Sequence, residues 1–484
     1  MTEQVELAVV GAGPAGIQAA LAAARAGVSV VLIDGYPRPG GQYFKQLPAA
    51  FRADDRSRHG QEAAAVLERL ALSNVRLLPD TDVWGAFPAP DGAWELDLCH
   101  RDGSRYGPSY PSRIVAPALV LATGAHDRPL AFPGWDLPGV MAAGAAQTLI
   151  KSQRVLPGRR VLLSGTGPLQ LAVAASLARA GADVVAVLEG LAPGPRALPL
   201  LTALWGQWPR LAEGWDYGRV LASAHVRYRF GWSVVEARGR DEVEGAVIAR
   251  IDPQWRPIPG TEETVAVDTI VIGYGLVPRV ELSRLLGCEH AYHPQQGGFV
   301  PRRDAEMQTT LPGVYAAGDG AGIGGAELAA IEGEIAGIAV ARRLGHLAEG
   351  AAGRELARLG GLLARQQRYA RMLGLLFTPG PGLDALATDD TTICRCEEVT
   401  LGDIRQALAD GAQTVEEIKA VTRLGMGNCQ GRICAEQAAR LFAREAGLGE
   451  DYLRSLAGGI FTPRPPIQPV PLAVMASAEV ESRE

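Results

Sequence analysis

Four of the six cysteines in this 484-residue chain fall in one window near its C-terminus. Cys394-Arg395-Cys396 is followed by thirty-two residues and then by Cys429-Gln430-Gly431-Arg432-Ile433-Cys434. Thiolates hold iron–sulfur clusters and structural zinc, and two tight pairs divided by a helix-sized spacer describe a cage for either. Cys99 and Cys288 have no partner at a redox Cys-x-x-Cys or Cys-x4-Cys spacing. They read as buried small hydrophobes, and disulfide reduction through a dithiol is not expected.

The spacer must fold the pairs together. Thr400 is placed to N-cap a helix with Ile404, Leu408 and Ala412 on one face. Thr414 opens a second helix with Ile418 inward, and Thr414 to Glu417 fits a capping box. Thr422 to Asn428 then brings the chain back, and the glycines around Cys429 free backbone amides to turn toward sulfur, which tunes a cluster's potential.

A second kind of chemistry opens the chain. The apolar run Val5 to Val10 leads into Gly11-Ala12-Gly13-Pro14-Ala15-Gly16, an alanine-rich helix to about Ala26, and a second apolar run, Val28 to Ile33, ending at Asp34. Strand, glycine turn, helix, strand and acid is the dinucleotide fingerprint. Gly11 permits the tight turn, Gly13 admits the pyrophosphate and Gly16 lets helix and strand pack closely. The helix N-terminus faces the phosphates, and Asp34 stands where a carboxylate takes the ribose hydroxyls. Two later stretches favour FAD. Ala118 to Leu121 runs into Thr123-Gly124, and Thr310 to Asp319 ends in Gly318-Asp319 before a helix from about Glu327. An aspartate there can bind a ribityl hydroxyl, with a helix start facing the flavin. With Gly41-Gln42 after the second strand, these resemble the signatures of the two-dinucleotide-binding, glutathione reductase-like flavoproteins. The resemblance covers roughly residues 1–345.

Arg160 to Ser164 leads into a second turn, Gly165-Thr166-Gly167-Pro168-Leu169-Gln170, then a helix to Ala180 and a strand ending at Glu189. Gln170 stands where a third glycine is expected, and Glu189 would repel a 2′-phosphate. Three readings stay open: an NAD site, a site for another adenine nucleotide, or a retained fold without a ligand.

The expected fold class is α/β, a flavoprotein of that two-domain type with a small helical C-terminal cluster module. The expected domains are 1–125 with 265–345 for FAD, 126–264 for the inserted nucleotide domain, 346–385 as a helical linker, 386–455 for the [2Fe–2S] module and 456–484 as a proline-rich arm. That arm reads as extended chain, either loose or laid along another domain or subunit. A net charge of −6 and pI near 5.8 argue against binding nucleic acid or anionic membranes. No apolar run reaches the length of a membrane span, no secretory leader is seen, and the thiols suit the cytoplasm. Seven histidines show no metal spacing; His126 reads as a neighbour of the flavin or as a satisfied core or surface residue.

The cysteine order resembles the bacterioferritin-associated-ferredoxin type of [2Fe–2S] domain. That type usually closes with Cys-x2-Cys; the x4 spacing here agrees with versions fused to amino-acid-oxidising flavoproteins. End to end, the chain is similar to the larger subunit of heteromeric bacterial amine dehydrogenases, a group that includes opine oxidase, the middle subunit of hydrogen cyanide synthase, and D-hydroxyproline or proline dehydrogenase relatives. The resemblance implies FAD and [2Fe–2S] on this chain, with Cys394, Cys396, Cys429 and Cys434 as iron ligands. It implies an amino-acid-oxidase-like FAD β subunit that oxidises the C–N bond, room for a small third subunit, and an external electron acceptor. It further implies FMN at the subunit interface, on residues the resemblance does not name, and no catalytic base on this chain. A self-contained NAD(P)H-dependent reductase and a non-catalytic scaffold are the competing readings.

Overall fold

The computed structural model describes residues 2–48, 51, 58–100, 112–192, 204, 207–449, 451–456 and 459–481. The chain forms two compact units, residues 1–125 with 278–370 and 462–484, and residues 126–277 with 371–461.

The first unit is built on a five-stranded sheet in the order Val314–Ala316, Ala118–Leu121, Leu7–Val10, Val30–Ile33, Arg76–Leu78. All its neighbours are parallel, with Leu7 opposite both Val30 and Ala118. Parallel strands covered on both faces need apolar residues at every position, and Leu7, Ala8 and Val9 are wholly buried. The helix Pro14–Arg25 connects the central strand, Leu7–Val10, to its neighbour Val30–Ile33. It packs on the helix Ala326–Arg343 almost backbone to backbone. A methyl added at Gly333 would lie 2.0 Å from the Ala15 carbonyl oxygen, and one at Gly337 2.3 Å from that of Ala19. A smaller sheet orders Thr2–Gln4, Arg113–Ala116, Trp94–His100 and Thr81–Pro88. The proline-rich segment lies along this sheet: the Ile467 N–H donates to Trp84 O at 2.9 Å, and Val474 packs with Trp84 and Cys99. The arm is therefore laid down on the chain's own unit, and it ends in a helix, Leu472–Glu481, beyond the last proline.

The second unit repeats the plan. Its parallel sheet runs Val140–Ala142, Thr269–Gly273, Arg160–Gly165, Asp183–Glu189, Arg227–Phe230, beside an antiparallel sheet of Trp232–Arg238, Gly245–Arg250 and Glu263–Val265. Thr269–Gly273 pairs with both Val140–Ala142 and Arg160–Gly165. The inserted domain thus extends past residue 264, and the return to the first unit falls at 277/278 instead of 264/265. The expected linker is one helix, Glu349–Phe377.

The cysteine module belongs to this second unit. Thr392–Cys394 and Val399–Thr400 form a short hairpin, followed by helices Leu401–Ala409, Val415–Thr422 and Ala435–Glu445. Thr400 caps the first helix in a full capping box with Asp403. Its inward face is Leu401, Ile404 and Ala407, and Leu408 and Ala412, expected on one face with Ile404, are only half buried. The helix ends at Ala409, so Ala412 lies past it and the expected 404–408–412 stripe cannot form. Thr414 caps the second helix through the Glu417 N–H, while the Glu417 carboxylate reaches back to Gln413 N and not to Thr414.

Candidate functional site

The first glycine turn is a close-fitted cradle. Gly11 has φ +103°, and a methyl there would lie 2.2 Å from the Ala122 carbonyl oxygen. A methyl at Gly16 would lie 1.8 Å from Gly11 O, so the third glycine lets the helix Pro14–Arg25 sit on its own turn. Gly13 begins that helix with Pro14 and Ala15 after it, and no side chain caps its N-terminal amides. Gly41, at φ +60°, comes so close that its own methyl would meet Gly13 Cα at 2.9 Å. The Asp34 carboxylate accepts from the amides of Ala12 and Tyr36 at 2.5 and 2.7 Å, at the mouth of the turn. Gln42 is exposed and donates to the Tyr36 hydroxyl at 3.3 Å.

Thr123 and Gly124 close the far side. The Thr123 hydroxyl donates to Arg279 O at 2.6 Å, and Gly124 takes φ +71°. Gly318, at φ +76°, is squeezed between Ala15 and Ala329. Asp319 Oδ1 accepts from the amides of Gly324 and Gly325 at 2.9 and 3.0 Å, which leaves Oδ2 for a ligand hydroxyl. Burial pushes the Asp319 carboxyl up, against the pull of those two amides. Gly11, Gly13, Gly16, Asp34, Gly41, Thr123, Gly124, Gly318 and Asp319 thus gather in the first unit, and the cradle fits FAD.

The second turn is built alike and filled differently. A methyl at Gly165 would lie 2.1 Å from Gly273 O, and Gly167 has φ +96°. The Phe377 ring lies against Gly167, 3.5 Å from where a methyl would stand. Gln170 is 1% exposed, and its amide nitrogen and oxygen have no hydrogen-bond partner among the described residues. Glu189 is also buried. It accepts from the Thr166 hydroxyl at 2.6 Å, from the amides of Gly167 and Leu191 at 3.0 Å, and from the Tyr228 phenol. Burial raises its carboxyl above the usual range and these donors pull it back. A carboxylate has about four acceptor positions, so this one is filled by its own fold. The turn does not fit a dinucleotide bound in the usual way.

The four cysteines meet in pairs. Cys394 contacts Cys434, and Cys396 contacts Cys429. Cys394 and Cys434 are buried, Cys429 is half buried and Cys396 exposed. The Cys434 thiol donates to Cys394, holding the Cys394 thiol down at about 5, with the amides of Gly425, Glu397 and Cys396 adding to the effect against burial. The same contact and burial push Cys434 up. Burial raises Cys429, opposed by the amides of Ile433 and Gly431. Gly427 packs on Cys396: a methyl there would meet Cys396 Cβ at 2.3 Å. Among the described residues no three His, Cys, Asp or Glu side chains are placed to hold a single metal ion. Thiols gathered two by two suit two irons better than one zinc, and amides turned on sulfur are how such clusters are tuned.

His126, which the sequence left open, meets the module: its Nε2 lies 2.8 Å from Arg432 O. Arg128 pairs with Glu436, the Gln437 amide oxygen accepts from Ala131 N at 3.0 Å, and Trp135 donates to Thr392 O at 2.6 Å. Cys99 and Cys288 are buried and separate from these sites. Sequence reasoning missed the buried pair Arg303–Glu332, whose Glu332 carboxylate accepts the Gly318 N–H at 2.8 Å. The one signal for it was an acid beside Gly333-x3-Gly337 in the helix after Asp319.

Fold and site together define a flavin-dependent oxidoreductase that also carries an iron–sulfur module. The chain belongs to the pyridine nucleotide-disulphide oxidoreductase family, matched over residues 5–345, with a BFD-like [2Fe-2S] binding domain at 392–444. It binds FAD and a [2Fe–2S] cluster. It is 35% identical to hydrogen cyanide synthase subunit HcnB of Pseudomonas aeruginosa, over 98% of this chain and 99% of that protein. It is 32% identical to the A subunit of opine oxidase from Agrobacterium tumefaciens, over 98% and 92%. The L-proline dehydrogenase from P. horikoshii shares the fold, with TM-score 0.69 at 20% identity over 98% of this chain and 80% of that one. Among the described residues no helix is long and apolar enough to cross a membrane.

Proposed function

We propose that this chain is the electron-transferring subunit of a heteromeric dehydrogenase acting on amino-acid or imino-acid C–N bonds, of the opine, hydroxyproline or proline type. One observation carries it: a complete FAD cradle without a redox dithiol shares a chain with four paired thiols. A flavin collects electrons in twos and a [2Fe–2S] cluster passes them singly, so the pair suits a relay. The protein's share is to hold each group. The Gly11–Gly16 turn and Asp34 hold the adenosine half of FAD, with Gly41 and Gln42 beside them. Thr123, Gly124, Gly318 and Asp319 hold its ribityl side. Cys394, Cys396, Cys429 and Cys434 would together hold the two irons. The substrate is oxidised on a partner, an amino-acid-oxidase-like flavoprotein, with room for a small third subunit and for FMN where the subunits meet. The relatives named as subunits of opine oxidase and hydrogen cyanide synthase support this division. The complex works in the cytoplasm and hands electrons to an external acceptor.

The test is to purify the chain with and without the co-expressed oxidase-like partner and to follow dye reduction with proline, hydroxyproline, opines and glycine. Reduction is expected only with the partner; turnover by this chain alone would sink the proposal. The NAD(P)H-reductase reading is the weaker one. A nicotinamide dinucleotide would have to move Phe377 off Gly167 and take Glu189 from Thr166 and Gly167. We read the second turn as a retained fold.

A further inference from the structure

Asp319 is framed by groups that lie outside the glycine fingerprints. Glu332, 1% exposed in the helix Ala326–Arg343, accepts the Gly318 N–H through Oε2 at 2.8 Å. Arg303 donates two N–H groups to the same carboxylate, at 2.9 and 2.6 Å, and a further one to the Ala316 carbonyl at 3.0 Å. Ala316 O and Gly318 N are thus tied to one buried ion pair, immediately before Asp319 in the chain. After it, Gly324 and Gly325 fix Oδ1. Gly318 is itself closely packed: a methyl there would lie 2.9 Å from Ala15 Cβ and 3.2 Å from Ala329 Cβ. A buried guanidinium–carboxylate fork has a defined geometry, and here three N–H groups converge on the Glu332 carboxylate.

We infer that Arg303 and Glu332 are positioning residues of the flavin site, acting through Asp319. They touch backbone on the near side of the aspartate and no reacting atom. Their work is to hold the backbone from Ala316 to Gly318 so that Asp319 Oδ2 meets the ribityl chain. The inference rests on the reading of Asp319 as the ribityl acceptor, and the experiment separates the two.

The full chain, loaded with FAD, is diluted, and the release of FAD is followed by recovery of its fluorescence. Asp319→Ala and Glu332→Ala are each expected to weaken FAD retention by about tenfold, the scale of one hydrogen bond to a charged group. The double variant is expected to be no worse than Asp319→Ala alone. Glu332→Gln, which keeps an oxygen for Gly318, recovers most of the loss. Additive losses in the double variant would mean that Glu332 acts on the fold at large, and would overturn the inference. So would unchanged retention in Glu332→Ala. Unchanged retention in Asp319→Ala would remove the ribityl reading and this inference with it. Should Glu332→Ala not yield protein, the same cycle runs with Arg303→Lys, which keeps the charge but loses the two-nitrogen fork on the Glu332 carboxylate.

Discussion

The two glycine turns of this chain follow one plan and end in different states. Around Gly13 the close neighbour is another glycine, Gly41; against Gly167 lies the ring of Phe377. At the third position Gly16 lets the helix touch its own turn, whereas Gln170 fills that place with a buried amide. Asp34 takes two backbone amides at the mouth of its turn, and Glu189 is enclosed by Thr166, Gly167, Leu191 and Tyr228. The fingerprint therefore specifies a backbone shape. Whether a nucleotide can use that shape depends on what stands in front of it and on what the acid is already holding.

The largest effect should come from the third position. Gly16→Ala drives a methyl to 1.8 Å from Gly11 O, so this variant should lose its flavin altogether, read as the flavin absorbance per chain. Gln170→Ala removes only an unpartnered amide and should keep full flavin content. Equal flavin loss in both would erase the distinction between the turns.

The acids come next. Asp34→Asn should weaken FAD by about tenfold, the scale of a hydrogen bond to a charged group. Glu189→Gln should leave FAD in place and lower thermal stability by roughly 1–2 kcal/mol, through the donors it no longer satisfies as well. That cost should depend on pH. Burial raises the Glu189 carboxyl above 4.5, so the folded state takes up this proton more readily than the unfolded one. The stability Glu189 contributes is then greatest at and below pH 4.5 and declines as pH rises through the folded value. The gap between parent and Glu189→Gln should be wider near pH 4.5 than at neutral pH, by calorimetry. A gap that widens toward alkaline pH would contradict the burial argument.

The smallest effect concerns nicotinamide. Excess NADH should not bleach the flavin of the parent chain, and Gln170→Gly alone should not change that, because Phe377 and the enclosed Glu189 remain. Rapid bleaching in the parent would mean that the second turn is a working hydride site.

Much of this was legible in the residues. Gly11 and Gly16 sit where their spacing put them because each answers a short-range steric demand that only a missing Cβ can meet, while a methyl at Gly13 would meet only Gly41 Cα at 3.9 Å. Thr400 and Thr414 cap as read, since a cap is a contact over three residues. Cys394 and Cys434 could be paired only in space: the sequence names four thiols, and burial and contact decide which face which. The return at 277/278 was missed because Thr269–Gly273 is an apolar run that either sheet could have taken, and strand pairing over a hundred residues settled it. Phe377 over Gly167 and Arg303 on the Ala316 carbonyl were likewise not legible, being contacts distant in sequence made by residues with no motif of their own.

The glycine-lined contact between helices Pro14–Arg25 and Ala326–Arg343 has a consequence for how the protein is made. The partners of this contact are some three hundred residues apart, so the first helix leaves the ribosome roughly 15–60 s before the second, at about 5–20 residues per second. During that interval its small-residue face is bare, and the second sheet, whole within one stretch of chain, has time to form first. Flavin uptake is then a late event of biosynthesis, and a nascent chain halted before Ala326 would emerge without its cofactor.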